Sequence, residues 1–180
     1  MSVERWKKND GEKTLREIGI KKGQTVLDFG CSSGIYTLIV ARIVGKTGRV
    51  YALDEKKRKL KKLKKKTKHE SLENVETIHT SGEIQISLEK ASIDVFLMYD
   101  VYHLLSESER EALVREASRV LKKGGFLSYH ATHLSEYGVD LQNVHQKMQK
   151  ARLKQRKKLK KQMFHWQWIE KGTIYNYYKE

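Results

Sequence analysis

The stretch Thr25-Val-Leu-Asp-Phe-Gly-Cys-Ser-Ser-Gly-Ile-Tyr-Thr37 constrains the fold more than any other part of the chain. Val26, Leu27 and Phe29 make a short apolar run that carries an acid at Asp28 and breaks at Gly30. Four small residues follow (Cys31, Ser32, Ser33, Gly34), and an apolar pattern with helical spacing begins at Ile35. A strand, a turn of small residues and a helix in that order make a nucleotide-binding βα unit. Small side chains let a ligand approach the backbone, and the new helix offers N–H groups that have no partner within it. An acid embedded in the strand needs a hydrogen-bond partner, because burying it unpaired is costly.

The rest of the chain repeats this alternation. After the helix Ile35–Val44 come a turn at 45–48, a strand Arg49–Asp54, a helix Lys56–Glu70 and a strand Val75–Thr80. A loop or short helix (Gly82–Lys90) leads to the apolar strand Ile93–Tyr99, a helix Glu107–Leu121, the turn 122–125 and the strand Phe126–Ala131. Strands alternating with helices imply a parallel sheet covered on both faces. Ahead of the first strand, a short helix around Lys13–Ile18 is expected to pack Trp6, Leu15, Ile18 and Ile20 against the domain edge. Residues 137–161 read as one long helix with Leu141, Val144, Met148, Ala151, Gln155 and Leu159 along one face. Met163–Glu170 and Thr173–Tyr178 then read as a hairpin turning at Lys171-Gly172. One domain over residues 1–180 is expected, with an N-terminal segment 1–24, a core 25–136 and a basic helix plus hairpin 137–180.

A chain of 180 residues can bury a sizeable core in one domain. No apolar stretch reaches the roughly 20 residues that span a bilayer, and the first ten residues lack the apolar centre of a signal peptide. A cytoplasmic location is therefore expected. The single cysteine, Cys31, excludes an intramolecular disulfide and a cysteine-based metal cluster, and no metal site is expected. The net charge of +15 is concentrated: residues 56–68 hold ten Lys or Arg and residues 147–161 hold nine, together 19 of 37. Each run shares a helical pattern with an apolar stripe, so solvated helix faces are the first reading. A phosphate-contacting surface for nucleic acid, or an anionic membrane surface, is the alternative.

The pattern V-L-D-F-G-C-x-x-G at 26–34 resembles motif I of the class I S-adenosylmethionine-dependent methyltransferases, and the strand Ile93-Asp-Val-Phe-Leu-Met-Tyr-Asp-Val-Tyr-His103 is similar to the small-molecule methylases of ubiquinone and menaquinone biosynthesis. The resemblance implies an α/β, Rossmann-like, mostly parallel seven-stranded sheet with helices on both faces and a C-terminal antiparallel hairpin. It implies S-adenosylmethionine as cofactor and a small-molecule acceptor. The backbone of Gly30, Cys31, Ser32 and Gly34 would meet the amino-acid and ribose portions, with Asp28 orienting them. Asp54 would take the ribose hydroxyls or, on the plainer reading, cap the next helix. Glu55 would line the adenine pocket or serve only the helix start. The family's Gly-Asp after the third strand is absent, so Ser81 or Glu83, around Gly82, would substitute. Tyr99 and Asp100 would meet the cofactor's amino group. Ser32 replaces the usual second glycine, and binding survives that change if its φ is negative.

Methyl transfer is a direct displacement that needs alignment and, where the nucleophile holds a proton, a base. His103, with Tyr102 beside it, is the favoured candidate; His130 and His133 follow the fifth strand. With no proline in the chain, the Asn/Asp-Pro-Pro-aromatic motif of amino-group base methylases is excluded. With one cysteine, the cysteine-dependent RNA cytosine and arsenic methylases are excluded as well. Gly30, Ser32 and Gly34 also spell the G-x-S-x-G of a hydrolase elbow, with Asp100 and His130 or His133 to complete a triad. That elbow expects an earlier strand and an oxyanion loop, and only about 30 residues precede Ser32. A nucleic-acid methylase using the lysine-rich helices and a cofactor-fold binding protein without catalysis complete the alternatives.

Overall fold

Helices and strands alternate through residue 131 in a computed structural model that describes residues 2–82 and 84–180. α1 (Val3–Arg5), a π-helical turn (Trp6–Asp10) and α2 (Gly11–Ile18) form a continuous N-terminal rod. β1 (Thr25–Phe29), α3 (Ile35–Val44), β2 (Arg49–Asp54), α4 (Lys57–His69) and β3 (Val75–His79) follow. Next come β4 (Ile93–Tyr99), a 3-10 turn (Tyr102–Leu104), α5 (Glu107–Val120), β5 (Leu121–Ala131) and α6 (Leu141–Lys150). The chain closes with β6 (Leu153–His165) and β7 (Trp168–Lys179). The seven strands form one sheet in the order β3-β2-β1-β4-β5-β7-β6. The first five are parallel, and β7 runs antiparallel to both β5 and β6.

Alternation along each strand sends side chains to opposite faces, and both faces are dry. Val26 of β1 and Val95, Leu97 and Tyr99 of β4 join Leu15 and Ile18 of α2 and Ile39, Val40, Ile43 and Val44 of α3. Leu27, Phe29, Phe96 and Met98 face the other way, onto Leu113, Val114, Ala117 and Val120 of α5 and Val144 and Met148 of α6. Helix starts are capped where the sequence provides for it. Ser106 and Glu109 make a reciprocal capping box at α5, and Asp140 accepts from Gln142 N–H at α6. In α4, Leu60 and Leu63 turn inward against Leu38 and Ala52, which leaves the lysines outside.

Three elements differ from the sequence expectation. The long basic helix over 137–161 is instead α6, a left-handed Arg152 (φ 60°) that stops it, and the edge strand β6. The helical stripe ends at Ala151. Beyond it a bulge between Gln155 and Lys157 resets the alternation, so Leu153 packs on one face of the sheet and Leu159 and Met163 on the other, and the partners on β7 decide for strand. The hairpin turns at Trp166-Gln167, with His165 paired to Trp168, not at Lys171-Gly172. Gly172 lies mid-strand because a Cβ there would fall 2.0 Å from His130 Nε2, a close approach that only glycine permits. β5 begins at Leu121, five residues before the expected start. The second lysine run is therefore the exposed edge of a sheet, where charge prevents further strand pairing.

The N-terminal rod is fastened to that edge. Trp6 is fully buried, its indole N–H donates to the Gln162 carbonyl of β6 at 2.8 Å, and its ring meets Tyr36 and Phe164. Asn176 Nδ2 donates to the Ile18 carbonyl at 2.8 Å, and Lys161 pairs with Glu17. The first eighteen residues thus hold the last thirty. Trp6→Ala is expected to cost about 3–5 kcal/mol in equilibrium urea unfolding, since it removes a large buried side chain. Trp6→Phe, which loses the indole bond and less volume, should cost less. An alanine variant within about 1 kcal/mol of wild type would show that the rod is not part of the cooperative fold.

Candidate functional site

Strand order reverses between β1 and β4, and in doubly wound sheets ligands bind in the crevice at the carboxyl ends of the strands beside such a point. A cavity of about 660 Å³ opens there. Its floor is the turn after β1. The Gly30 and Cys31 N–H groups both donate to the Leu53 carbonyl, at 2.9 and 3.0 Å, and pin the turn to β2. Asp54 completes the brace: Oδ2 accepts from Ser32 N–H and Oδ1 from Lys56 N–H, each at 2.8 Å. Gly34, with φ of 80°, leads into α3, and a Cβ there would sit 2.3 Å from Leu63 Cδ1. Only glycine fits. Ser32 departs from expectation, because its φ is +49°; the bond from its N–H to Asp54 holds the left-handed conformation. Cys31 is buried in the turn, and burial pushes its thiol far above the usual range, which leaves it unreactive.

Asp28 lies at the cavity floor, 3% exposed. Thr37 Oγ1 donates to its Oδ2 at 2.5 Å. Burial pushes this carboxyl up to about 6, the Thr37 bond opposes the shift, and the charge of Asp54 adds to it.

The opposite wall is the end of β4. Tyr99 shares a hydrogen bond with Ser128 Oγ at 2.8 Å, and its ring meets the edge of Tyr36 at 4.9 Å. Tyr36 in turn donates to the Phe164 carbonyl at 2.6 Å. That bond ties α3 to the end of β6 and sets the hairpin tip, Trp166-Gln167, at the cavity. Asp100 lines the cavity with φ of +53°. Its Oδ1 accepts from His165 Nδ1 at 2.9 Å, and His130 Nδ1 lies 3.4 Å away without hydrogen-bond alignment. Burial would raise the Asp100 carboxyl, but the neighbouring His130 and the hydrogen bond and charge of His165 outweigh it and hold the group below its usual range.

The remaining sequence candidates divide. Glu55 lines the cavity rim, and its carbonyl pairs with His79 Nε2 at 3.0 Å. Gly82 lines it too, together with Thr80 and Ile84, whereas Ser81 is exposed and outside the lining. Glu83 lies outside the described residues. Tyr102 and His103, favoured for proton transfer, do not line the cavity; Leu104 and Leu105 do. Tyr102 is a core side chain packed between Tyr129 and Arg110, and burial pushes its phenol up to about 12. His103 is buried behind the wall. Its Nδ1 is 3.4 Å from Thr132 Oγ1, and burial first, then His133, lowers it to about 4. It is a neutral imidazole at physiological pH.

His165, Tyr36, Phe164 and Trp166 escaped the sequence reading. The period-two spacing of Leu159 and Met163 was the available signal, since it marks a strand that ends at His165. Four histidines gather behind Asp100, yet no three ligating side chains among the described residues converge to hold a metal ion.

Asp28 binds its proton more tightly in the folded chain than in the unfolded one. Its effect on stability is therefore absent below about pH 4 and grows unfavourable as pH rises through about 6, reaching about 3 kcal/mol. Asp28→Asn retains an acceptor for Thr37. In urea unfolding it should flatten the loss of stability between about pH 4 and 7 and exceed wild type at pH 7. A variant with the wild-type slope would show that Asp28 does not titrate in this range.

A family model described as a methyltransferase domain matches residues 26–125. A demethylmenaquinone methyltransferase from Oceanobacillus iheyensis is 28% identical over 120 residues, 67% of this chain and 48% of that protein. A probable cobalt-precorrin-6B C(15)-methyltransferase (decarboxylating) from Saccharolobus solfataricus is 41% identical over 46 residues, 26% of this chain and 23% of that protein. The chain thus spans about half the length of the first relative and about a quarter of the second. Among solved structures, a SAM dependent methyltransferase from Aquifex aeolicus has the same fold, with a TM-score of 0.80 at 24% identity over 98% of this chain and 93% of that one. The match runs from β1, through the braced turn and Asp54, to the start of β5, and the chain belongs to the methyltransferase-domain family.

Proposed function

We propose that this chain is an S-adenosylmethionine-dependent methyltransferase acting on a small-molecule acceptor. One observation carries the reading: in a chain of net charge +15, the cavity at the strand reversal is lined by five carboxylates, Asp28, Asp54, Glu55, Asp100 and Glu109, against two lysines, Lys56 and Lys59. Such a site selects against anionic ligands and suits a cation that also carries hydroxyl donors. When bound, S-adenosylmethionine supplies an electrophilic methyl group on a sulfonium sulfur, an ammonium group and a ribose diol. Asp54 already accepts two backbone N–H groups, and a carboxylate has further lone pairs to offer a diol. Asp100 is the carboxylate for the ammonium group. The backbone of Gly30, Cys31, Ser32 and Ser33 lines the cavity with small side chains and admits the ligand closely, and Leu53 and Ile84 supply an apolar wall for a flat base.

This chain's own work is alignment and exclusion of water. Leu104, Leu105, Phe164 and Trp166 make the outer wall apolar and aromatic, the lining expected of a small-molecule site. A volume of about 660 Å³ lies within the range of such sites, roughly 300–1,000 Å³. The relatives named for demethylmenaquinone point to the same class of acceptor. The two lysine runs do not form one footprint. α4 covers β2 and β3, while β6 is the opposite edge of the sheet, and two of the β6 lysines, Lys157 and Lys161, are spent on Glu17 of α2.

Calorimetric titration with S-adenosylmethionine tests the reading. Micromolar binding is expected, weakened at least about tenfold in Asp54→Ala, which loses a charge-assisted contact and the brace on Ser32. Asp54→Asn should fall between. A folded wild type, judged by its unfolding transition, that binds no S-adenosylmethionine would overturn it.

A further inference from the structure

Trp166 stands at the mouth of the cavity in a conformation that a bulky side chain rarely takes. It is the first residue of the two-residue turn between β6 and β7, its φ is +50°, and it is half exposed. Such a backbone persists only where the surroundings hold it, and here two imidazoles do. The Trp166 ring stacks on His133 at 4.7 Å and on His165 at 4.9 Å, tilted by 24° and 21°, and the two imidazoles lie 4.8 Å from each other. The three centroids make a nearly equilateral triangle, so both imidazoles cover the same face of the indole. Trp168 meets the ring edge-on at 5.8 Å. Trp166 thus lines the cavity as a backed platform, and the face turned from the histidines is the one it offers to a ligand.

The lining around this platform is apolar or negative. The segment after β4 and the hairpin tip supply Val101, Leu104, Leu105 and Phe164, and the ionisable groups beside them are Asp100 and Glu109. The Ser106 hydroxyl and amide both donate to Glu109 Oε2 and hold that carboxyl below its usual range. The two cations of the lining, Lys56 and Lys59, belong to the start of α4 after β2. Lys7 reaches to 6.0 Å from the Phe164 centroid but is outside the lining. No histidine among the described residues lines the cavity. Tyr36 and Tyr99 do, and burial pushes both phenols up, so they keep their protons. The cavity therefore holds no imidazole or phenolate to take a proton from an alcohol or phenol acceptor.

We propose that the methyl acceptor is an amine, and that the open face of Trp166 recognises the positive charge its nitrogen carries. The inference deepens the cofactor reading above and rests on it. A cation within about 6 Å of an indole face is attracted by the ring quadrupole, and the carboxylates of the lining add to that attraction. An amine also suits a cavity without an imidazole or phenolate base. Its neutral form attacks with a lone pair and loses no proton beforehand. The nitrogen–carbon bond forms, the carbon–sulfur bond breaks with its electron pair going to sulfur, and the positive charge passes from sulfur to nitrogen. A proton that remains on the methylated nitrogen leaves to solvent afterwards. Charge that develops on nitrogen does so against the indole, so the platform favours the transition state over the neutral amine. Trp166 sets the specificity, while His133 and His165, neither of which lines the cavity, position it.

Choline and 3,3-dimethylbutan-1-ol have the same shape and differ by the charge at the trimethyl centre, and they serve as the two probes. Each is titrated into the protein loaded with S-adenosylhomocysteine, the demethylated product, whose own binding is measured first by calorimetry. Choline should bind about three- to tenfold more tightly than its neutral isostere. In wild type its methyl proton resonance should move upfield on binding, as protons held over an indole face do, a readout that depends on no variant. Trp166→Leu, with its unfolding transition as the check on folding, should bring the two affinities at least about threefold closer. Trp166→Phe, which keeps a ring, should fall between. Equal affinities for the two probes, a choline resonance that does not move, a preference unchanged in Trp166→Leu, or no binding of choline would each overturn the amine inference. The cofactor reading survives any of these as long as S-adenosylhomocysteine binds. Failure of S-adenosylhomocysteine to bind would overturn both.

Discussion

The brace between β1 and β2 is the contact on which the rest of this structure depends. Two amides of the β1 turn share one carbonyl, and Asp54 holds the amide of Ser32 on one side and that of Lys56 on the other. The turn is thereby fixed by its neighbour strand together with one internal bond, from Gly34 N–H to the Cys31 carbonyl at 2.9 Å. Because the turn is fixed, α3 departs at one angle. Because α3 is fixed, Tyr36 reaches the Phe164 carbonyl, and the far hairpin is brought to the same cavity. Removal of one carboxylate would loosen both walls at once. Asp54 is thus a structural acid first, and the ribose contact proposed for it would use other lone pairs of the same group.

Charge is arranged with the same economy. A chain this basic repels itself, and its lysines sit where they do least harm, on the outside of α4 and along the edge of β6. Three acids stand at the strand ends, Asp28, Asp54 and Asp100, beside Phe29, Leu53 and Tyr99. Burial raises both Asp28 and Asp100, but the histidines around Asp100 outweigh it there, so neighbouring carboxylates are moved in opposite directions. Asp28 has one hydroxyl for company, while Asp100 has two imidazoles. The difference lies in the number of donors each acid meets, since both are removed from bulk solvent.

The βα units were legible because two periods, 2 and 3.6, alternate cleanly through residue 131, and because Gly30, Gly34 and Asp54 stand at strand ends where each has one physical job. The floor of the cavity could therefore be named from sequence alone. Of the far wall, Tyr99 and Asp100 could be named, but the hairpin residues Phe164 and Trp166 could not. Residues 141–163 do not declare one period, because Leu141, Val144, Met148 and Ala151 follow the helix, Leu159 and Met163 follow the strand, and a bulge between Gln155 and Lys157 puts Leu153 on the other face. Lysine stems suit either. What separates them is tertiary: the partner strand β7, and the open space at Gly172 that His130 fills. A glycine in Lys171-Gly172 looks like a turn from its neighbours in sequence and is a clearance hole in the sheet. Tyr102 and His103 show the converse error, for proximity to a strand end along the chain does not say which side of the wall a side chain faces.

His165 reaches Asp100 only because the final hairpin folds back antiparallel beside β5 and turns at Trp166. Had it turned at Gly172, His165 would lie in mid-strand and Asp100 would face the cavity with no donor behind it. A buried carboxylate in that position would be driven toward its neutral form and would offer a cation little. The antiparallel strands at the end of the sheet therefore do more than widen it. They carry one of the two imidazoles that hold Asp100 below its usual range, and the N-terminal rod, through Trp6 and Gln162, holds those strands in register. The ends of the chain, which contribute no glycine or acid to the cofactor turn, decide the electrostatics of the wall that faces it.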